Sequence, residues 1–151
     1  MRATKSLRFP VSVTWVGGRL VRAGVAGKPW LEVATPPEFK GTDPDVWSPE
    51  DLLVGAAASC FTVTFLAVAE RRGITVHDVA VDGVGRMGLG EDGRLAFIGV
   101  DLTAHVVTAA GQEQAAVEAA RQAEQSCFVS QALSIEVRLE TLARAASPAA
   151  A

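Results

Sequence analysis

Two cysteines are the most reactive side chains in this sequence. Cys60 lies inside LLVGAAASCFTVTFLAVA, a run over residues 52–69 with no formal charge, and Cys127 lies in EQSCFVSQAL. A free cysteine most often packs as a small hydrophobe. As a thiolate it is a nucleophile, which needs a nearby cation or hydrogen-bond donors. Sequence separation alone does not show that the two thiols meet, so both roles stay open at this point.

Residues that could favour a thiolate lie before Cys60 in the chain. Cys60 is too deep in its predicted helix to use the helix dipole, so a cation must come from elsewhere. The candidate cations are Arg19, Arg22, Lys28 and Lys40. Glu50 precedes Cys60 by nearly three helical turns on a similar face, where it could hold an arginine in place. The alternative roles are a first-turn carboxylate that complements the helix dipole and arginines that are solvated hairpin charges.

Charge and ligand spacing exclude two classes of function. The net charge is −3 and no basic cluster is present, so we expect no nucleic-acid partner. The two cysteines and two histidines contain no close C-x-x-C or H-x-x-x-H pair, so we predict no metal site.

The length and composition predict one globular domain over residues 1–151. The chain is 49% apolar and 21% charged, and its N-terminus lacks a signal-peptide pattern, which favours the cytoplasm. The predicted core covers about residues 8–142, and the small-residue segment 143–151 is expected to be a disordered tail.

Alternation of apolar and polar residues predicts strands, and longer periodic runs predict helices. The predicted strands cover residues 8–16, 19–25, 30–35, 74–87, 94–108 and 132–142. A turn-rich loop is predicted over 36–47, and a second helix over 109–127. These elements predict an α+β fold.

The helix that carries Cys60 is predicted to be a buried one. Ser48 is a fitting N-cap, Pro49 a fitting first residue, and Gly73 a fitting C-terminal stop. Eighteen uncharged residues span only about 27 Å, short of a bilayer core of roughly 30 Å, so we expect no membrane span. A helix that is apolar on every side must be covered. In so small a domain this predicts a homodimer.

Three segments resemble motifs of the OsmC/Ohr family, the osmotically inducible and organic hydroperoxide resistance proteins. SPEDLLVGAAASCFTVTFLAVAERRGI resembles the family's cysteine helix, with Glu50 and Cys60 at matching positions. SCFVSQALS resembles the second motif, usually Cys-Pro-x-Ser-Asn/Gln, and places Cys127 on the second cysteine. VGGRLVRAG resembles the first hairpin and places Arg19 on the family's active-site arginine. The resemblance covers about residues 8–142.

The resemblance implies an intertwined homodimer in which antiparallel sheets wrap around a long central helix. It also implies a thiol peroxidase without metal, haem or another cofactor. Cys60 would reduce alkyl or fatty-acid hydroperoxides, and the resulting sulfenic acid would form a disulfide with Cys127. A dithiol, often a protein-bound lipoyl group in this family, would reopen it. Arg19 would stabilise the thiolate, with Glu50 orienting Arg19.

Two positions differ from the family pattern. Phe128 follows the second cysteine where the family usually has proline, and the first hairpin offers Arg22 as a second arginine. The alternative function is a non-catalytic dimer that binds small apolar molecules or senses redox state. Apolar residues that could line a pocket are Phe39, Trp47, Phe61 and Phe128.

Overall fold

A computed structural model describes residues 6–148. In chain order the elements are β1 (Ser12–Gly17), β2 (Leu20–Gly24), β3 (Leu31–Ala34), a short 3-10 helix (Pro37–Phe39), α1 (Pro49–Arg71), β4 (Val76–Leu89), β5 (Leu95–Thr108), α2 (Glu113–Ser126), α3 (Phe128–Ala132) and β6 (Glu136–Ala145). The chain forms two compact units, one ending at Leu52 and the other beginning at Leu53. The single domain over residues 1–151 stays a prediction.

The first unit is built on an antiparallel sheet in the order β1-β2-β3. Its first hairpin turns at Gly18, whose φ of 53° is readily available to glycine. This confirms the predicted hairpin. The loop after β3 contains the short 3-10 helix and returns to the sheet, where Trp47 forms a parallel bridge with Val33.

Helix α1 begins and ends where the sequence predicts. The Asp51 N–H donates to Ser48 Oγ at 3.0 Å, and the Ser48 N–H donates to Asp51 Oδ2 at 2.8 Å. This reciprocal pair satisfies two backbone N–H groups at the helix start. After Arg71, Gly73 adopts a φ of 68°, a left-handed conformation that suits a helix C-terminus.

The second unit contains the sheet β4-β5-β6. Strands β4 and β5 form a long antiparallel hairpin, closed by the predicted turn, in which the Gly90 N–H donates to the Arg94 carbonyl at 2.8 Å. Strand β6 instead runs parallel to β5, with Gly99 opposite Glu136. The expectation of antiparallel sheets therefore fails for this pair. The reason is the connection through α2 and α3, a crossover long enough to return the chain in the same direction.

Alternate residues of β5 form the centre of the second unit's core. Val100, Leu102, Ala104 and Val106 are buried, and they pack with Phe61 and Phe65 of α1. Helix α2 contributes a face of fully buried alanines, Ala116, Ala119, Ala120 and Ala123. The small alanines let α2 lie close to the sheet, so its C-terminal end is fixed beside α1.

Helix α1 is longer than its uncharged run. It has 23 residues, and its most apolar 18-residue window has a mean hydropathy of 2.1, so length and composition alone would allow it to cross a membrane. The length of about 27 Å is that of the uncharged run over residues 52–69, and the whole helix is longer. Core helices of soluble proteins pass the same test. Its buried residues lie on one side, whereas Val63 is 63% and Leu66 41% exposed in the single chain.

The C-terminal strand extends further than predicted. β6 continues to Ala145, whereas the tail was expected to begin at residue 143. Its burial alternates between half-buried and exposed residues throughout, so its last residues still contribute alternate side chains to the inner side of the sheet. The end of the predicted tail, residues 149–151, lies outside the described residues.

Candidate thiol site

The second unit brings the two cysteines together. Cys60 projects from the middle of α1, and Cys127 is the single residue that separates α2 from α3. Cys127 has an extended backbone, with φ −71° and ψ 116°, which turns the chain between the two helices. Both cysteines are free, Cys127 is fully buried, and its thiol lies close enough to that of Cys60 for each to shift the pKa of the other. The meeting of the thiols, which sequence separation left open, is thus observed.

The environment of Cys60 favours its thiolate. Burial acts to raise the pKa of the Cys60 thiol, but donors around the sulfur outweigh this effect and the net pKa is lowered. In decreasing order of effect, the donors are the Val129 N–H, the Cys127 thiol, the Phe128 N–H and the Thr64 hydroxyl. Hydrogen bonds to a charged acceptor stabilise the charged form, so this arrangement makes Cys60 more acidic than an ordinary cysteine.

The environment of Cys127 has the opposite effect. Burial raises the pKa of the Cys127 thiol, the Ser130 hydroxyl and N–H lower it, and the adjacent Cys60 raises it again. The net pKa is raised, so of the two thiols Cys60 is the first to lose its proton as the pH rises. Neighbouring thiols titrate as a pair, and the first negative charge of this pair is favoured on the Cys60 sulfur. The site therefore pairs one thiol of lowered pKa with one of raised pKa.

The backbone donors were not predicted from the sequence. Phe128 and Val129 occupy the first turn of α3, where backbone N–H groups have no partner within the helix and remain free to bind the Cys60 sulfur. From the sequence we expect only a change of direction near Cys127. A second short helix begins directly after Cys127, but its five residues are too few to show a helical periodicity in the sequence.

The other two predicted site residues lie in the first unit. Arg19 is in the turn between β1 and β2, and its Nη1 donates to the Phe39 carbonyl at 3.0 Å. Glu50 is in the first turn of α1, and its buried Oε2 has no hydrogen-bond partner among the described residues. Arg22 pairs across the strands with Glu32 at 3.2 Å. The arginine–Glu50 contact is thus not made here, and the roles of Arg19 and Glu50 stay predictions.

The candidate lining residues fall into different environments. Phe61 is fully buried and stacks on Phe65 with ring centroids 6.2 Å apart, so it belongs to the core. Phe128 is 85% exposed although its own N–H contacts Cys60. In the first unit, Trp47 is 50% exposed and Phe39 is half-buried. Phe128 is therefore the aromatic side chain that the second unit presents beside the thiols.

The fold and the thiol pair define a class of protein. It is an α+β protein with two adjacent cysteines, one with a lowered and one with a raised thiol pKa. Residues 41–141 match the sequence profile of the family described as OsmC-like protein. The chain belongs to that family, which confirms the resemblance drawn from its motifs.

Known relatives share the fold over nearly the whole chain. An OsmC-like protein of unknown function from Vibrio cholerae superposes with a TM-score of 0.82 at 20% identity, covering 91% of this chain and 100% of that one. An organic hydroperoxide resistance protein OsmC from Legionella pneumophila gives 0.74 at 25% identity, covering 91% and 98%. By sequence, the uncharacterized protein YmaD of Bacillus subtilis is 27% identical over 139 residues, 87% of this chain and 91% of the relative.

Proposed function

We propose that this protein is a cysteine-based peroxidase that reduces organic hydroperoxides to alcohols. The observation that carries the proposal is the contact between Cys60, whose thiol pKa is lowered, and Cys127, whose thiol pKa is raised. Membership of the OsmC-like family and likeness to an organic hydroperoxide resistance protein support a hydroperoxide-related role.

In the first step the Cys60 thiolate attacks the peroxide oxygen remote from the alkyl group. The O–O bond breaks, the alkoxide takes up a proton and leaves as the alcohol, and Cys60 becomes a sulfenic acid. The donors around Cys60 lower the pKa of its thiol and so favour the thiolate, which is the form that attacks. In the second step the Cys127 sulfur attacks the Cys60 sulfur, a disulfide forms and water leaves. A dithiol then reduces the disulfide by exchange, and a protein-bound lipoyl group is the proposed physiological reductant.

Arg19 is the proposed cation for the peroxide and the thiolate, with Glu50 as its orienting carboxylate. Arg22 already has a partner in Glu32, whereas the Arg19 guanidinium contacts only a backbone carbonyl among the hydrogen bonds of the described residues. The buried Glu50 Oε2 has no partner there, which is the situation expected of a carboxylate that receives an arginine. Arg19 is therefore a better candidate than Arg22.

The proposed assembly is a homodimer, and the proposed substrates are apolar. The exposed side chains Val63 and Leu66 on α1 need a cover, and a second copy of the chain supplies one. The exposed ring of Phe128 beside Cys60 suits an alkyl or fatty-acid hydroperoxide better than hydrogen peroxide. Two free thiols suit the reducing cytoplasm, our proposed location.

Peroxide consumption by the purified protein tests this function. With dithiothreitol or dihydrolipoamide as reductant, cumene hydroperoxide should be consumed much faster than hydrogen peroxide. Cys60→Ser should abolish turnover. Cys127→Ser should still consume one equivalent of peroxide and accumulate a sulfenic acid that dimedone traps. Equal, slow consumption by wild type and Cys60→Ser would refute the enzyme and favour the non-catalytic binding role.

A further inference from the structure

We propose that Glu124 and Ser130 form a proton relay to Cys127, in which Ser130 touches the thiol and Glu124 acts through Ser130 as a positioning residue and proton acceptor. This inference rests on the proposed peroxidase function, because it concerns the step that closes the Cys60–Cys127 disulfide. It assigns a task to two buried polar groups that the proposed first step does not use.

The three side chains meet where α2 ends and α3 begins. Glu124 is in the last turn of α2, and its carbonyl accepts the Cys127 N–H at 3.2 Å. Ser130 is in α3. The next residue, Gln131, donates its N–H to the Cys127 carbonyl at 3.0 Å, which keeps this part of α3 close to Cys127. The Ser130 hydroxyl is close enough to affect the pKa of both the Glu124 carboxyl and the Cys127 thiol. Its position is thus between an acid and a thiol.

Two atoms of this group are buried without a completed hydrogen bond. Glu124 Oε2 and Ser130 Oγ are both inaccessible to solvent, and neither has a partner of good geometry among the described residues. Buried polar atoms are nearly always paired, so such exceptions call for an explanation. A relay whose proton moves during the reaction explains both atoms, since the Ser130 hydroxyl lies near both the Glu124 carboxyl and the Cys127 thiol.

Burial and the Ser130 hydroxyl together determine the pKa of the Glu124 carboxyl. Burial raises the pKa of the Glu124 carboxyl, and the Ser130 hydroxyl lowers it in part. Helix α2 packs against the inner faces of β5 and β6. Over Val100–Thr108 and Val137–Ala145 these faces carry only apolar side chains and threonines. The titratable group that faces Cys127 from α1 is Cys60. A carboxylate of raised pKa is a stronger base than an ordinary one.

The proton of the Cys127 thiol passes through the Ser130 hydroxyl to the Glu124 carboxylate, and the freed electron pair of Cys127 attacks the Cys60 sulfur. The S–O bond of the Cys60 sulfenic acid breaks and hydroxide leaves with its electron pair. Hydroxide takes up a proton from solvent, and Glu124 later releases one, so the net products are the disulfide and one water. The hydroperoxide remains the oxidant and the dithiol the reductant.

The test measures disulfide closure apart from peroxide attack. Reduced protein is mixed with one equivalent of cumene hydroperoxide, and acid-quenched samples are analysed by mass spectrometry for sulfenic acid and disulfide from pH 5 to 9. We expect Glu124→Gln and Ser130→Ala to slow closure about 10²-fold near neutral pH. Their closure rates should then rise only at the higher pH where the Cys127 thiol itself ionises. Ser130→Thr, which keeps a hydroxyl, should restore most of the rate.

Glu118→Gln is the matched control, because it changes a glutamate of the same helix that is half-exposed and pairs with Arg72. It should leave closure unchanged. If Glu124→Gln and Ser130→Ala close the disulfide at the wild-type rate with the wild-type pH profile, the relay is refuted while the peroxidase stands. If Glu124→Gln does not fold, the closure rates of Ser130→Ala and Ser130→Thr still test the relay. Absence of any Cys60 sulfenic acid in Cys127→Ser would instead overturn the proposed function.

Discussion

Replacing Phe128 with proline should make Cys60 less acidic. The Phe128 N–H is one of the donors that lower the pKa of the Cys60 thiol, and proline has no N–H. The backbone accepts the change, because Phe128 is the first residue of α3 and the preceding Cys127 is extended, with ψ 116°. Its ring is 85% exposed, so little packing is lost. The substitution therefore removes one hydrogen bond and little else.

The size of the effect follows from the kind of bond removed. A hydrogen bond to a charged group contributes about 1.5–3 kcal/mol, and each 1.4 kcal/mol is a factor of ten in an equilibrium constant. The Phe128 N–H ranks below the Val129 N–H and the Cys127 thiol among the donors, so we take the lower end. Phe128→Pro should lower the thiolate fraction of Cys60 about tenfold at pH values well below the wild-type pKa of this thiol.

The assay is the rate of Cys60 alkylation by iodoacetamide as a function of pH, in a Cys127→Ser background so that one thiol reacts. Phe128→Ala is the matched control, because it removes the same ring but keeps the N–H. The proline variant should be alkylated about tenfold more slowly than the alanine variant at pH values well below the pKa of the Cys60 thiol, with equal rates where both are fully ionised. Equal rates at every pH would show that this backbone donor does not stabilise the thiolate.

Three other changes have definite expected outcomes. Cys127→Ala, which removes a donor to Cys60, should slow its alkylation near neutral pH relative to Cys127→Ser, which keeps an O–H, and equal rates would contradict this. Gly85→Ala should destabilise the protein by about 1–3 kcal/mol in urea unfolding, because an added Cβ would lie 2.7 Å from Val54 Cγ2; an unchanged midpoint would contradict the packing. Because the pKa of Glu124 is raised, the folded state binds a proton more tightly there than the unfolded state does. The free energy of unfolding should therefore fall as the pH rises from the ordinary glutamate pKa to the raised one, and Glu124→Gln should remove this fall.

The sequence predicted the elements whose signals are local. Ser48, Pro49 and Gly73 define the ends of α1 through capping and backbone preferences, which act within a few residues. Long alternating runs likewise predicted the hairpin of β4 and β5, because burial on one face of a strand requires that pattern.

The features that the sequence did not reveal depend on distant parts of the chain. The parallel pairing of β6 with β5 is decided by the crossover through α2 and α3, not by the alternating pattern, which is the same for both directions. The donors around Cys60 are backbone groups of Phe128 and Val129, and any residue except proline carries such an N–H. Their role follows only from the packing of α3 against α1.

The most direct test of the peroxidase mechanism is the fate of the two thiols after a single oxidation. Reduced protein treated with one equivalent of cumene hydroperoxide should yield one equivalent of alcohol and an intramolecular Cys60–Cys127 disulfide, identified by peptide mass spectrometry without reduction. Dithiothreitol should then restore both thiols. If both thiols remain fully alkylatable after the peroxide is added, or if Cys127 oxidises while Cys60 does not, the proposed division of roles between the two thiols is contradicted.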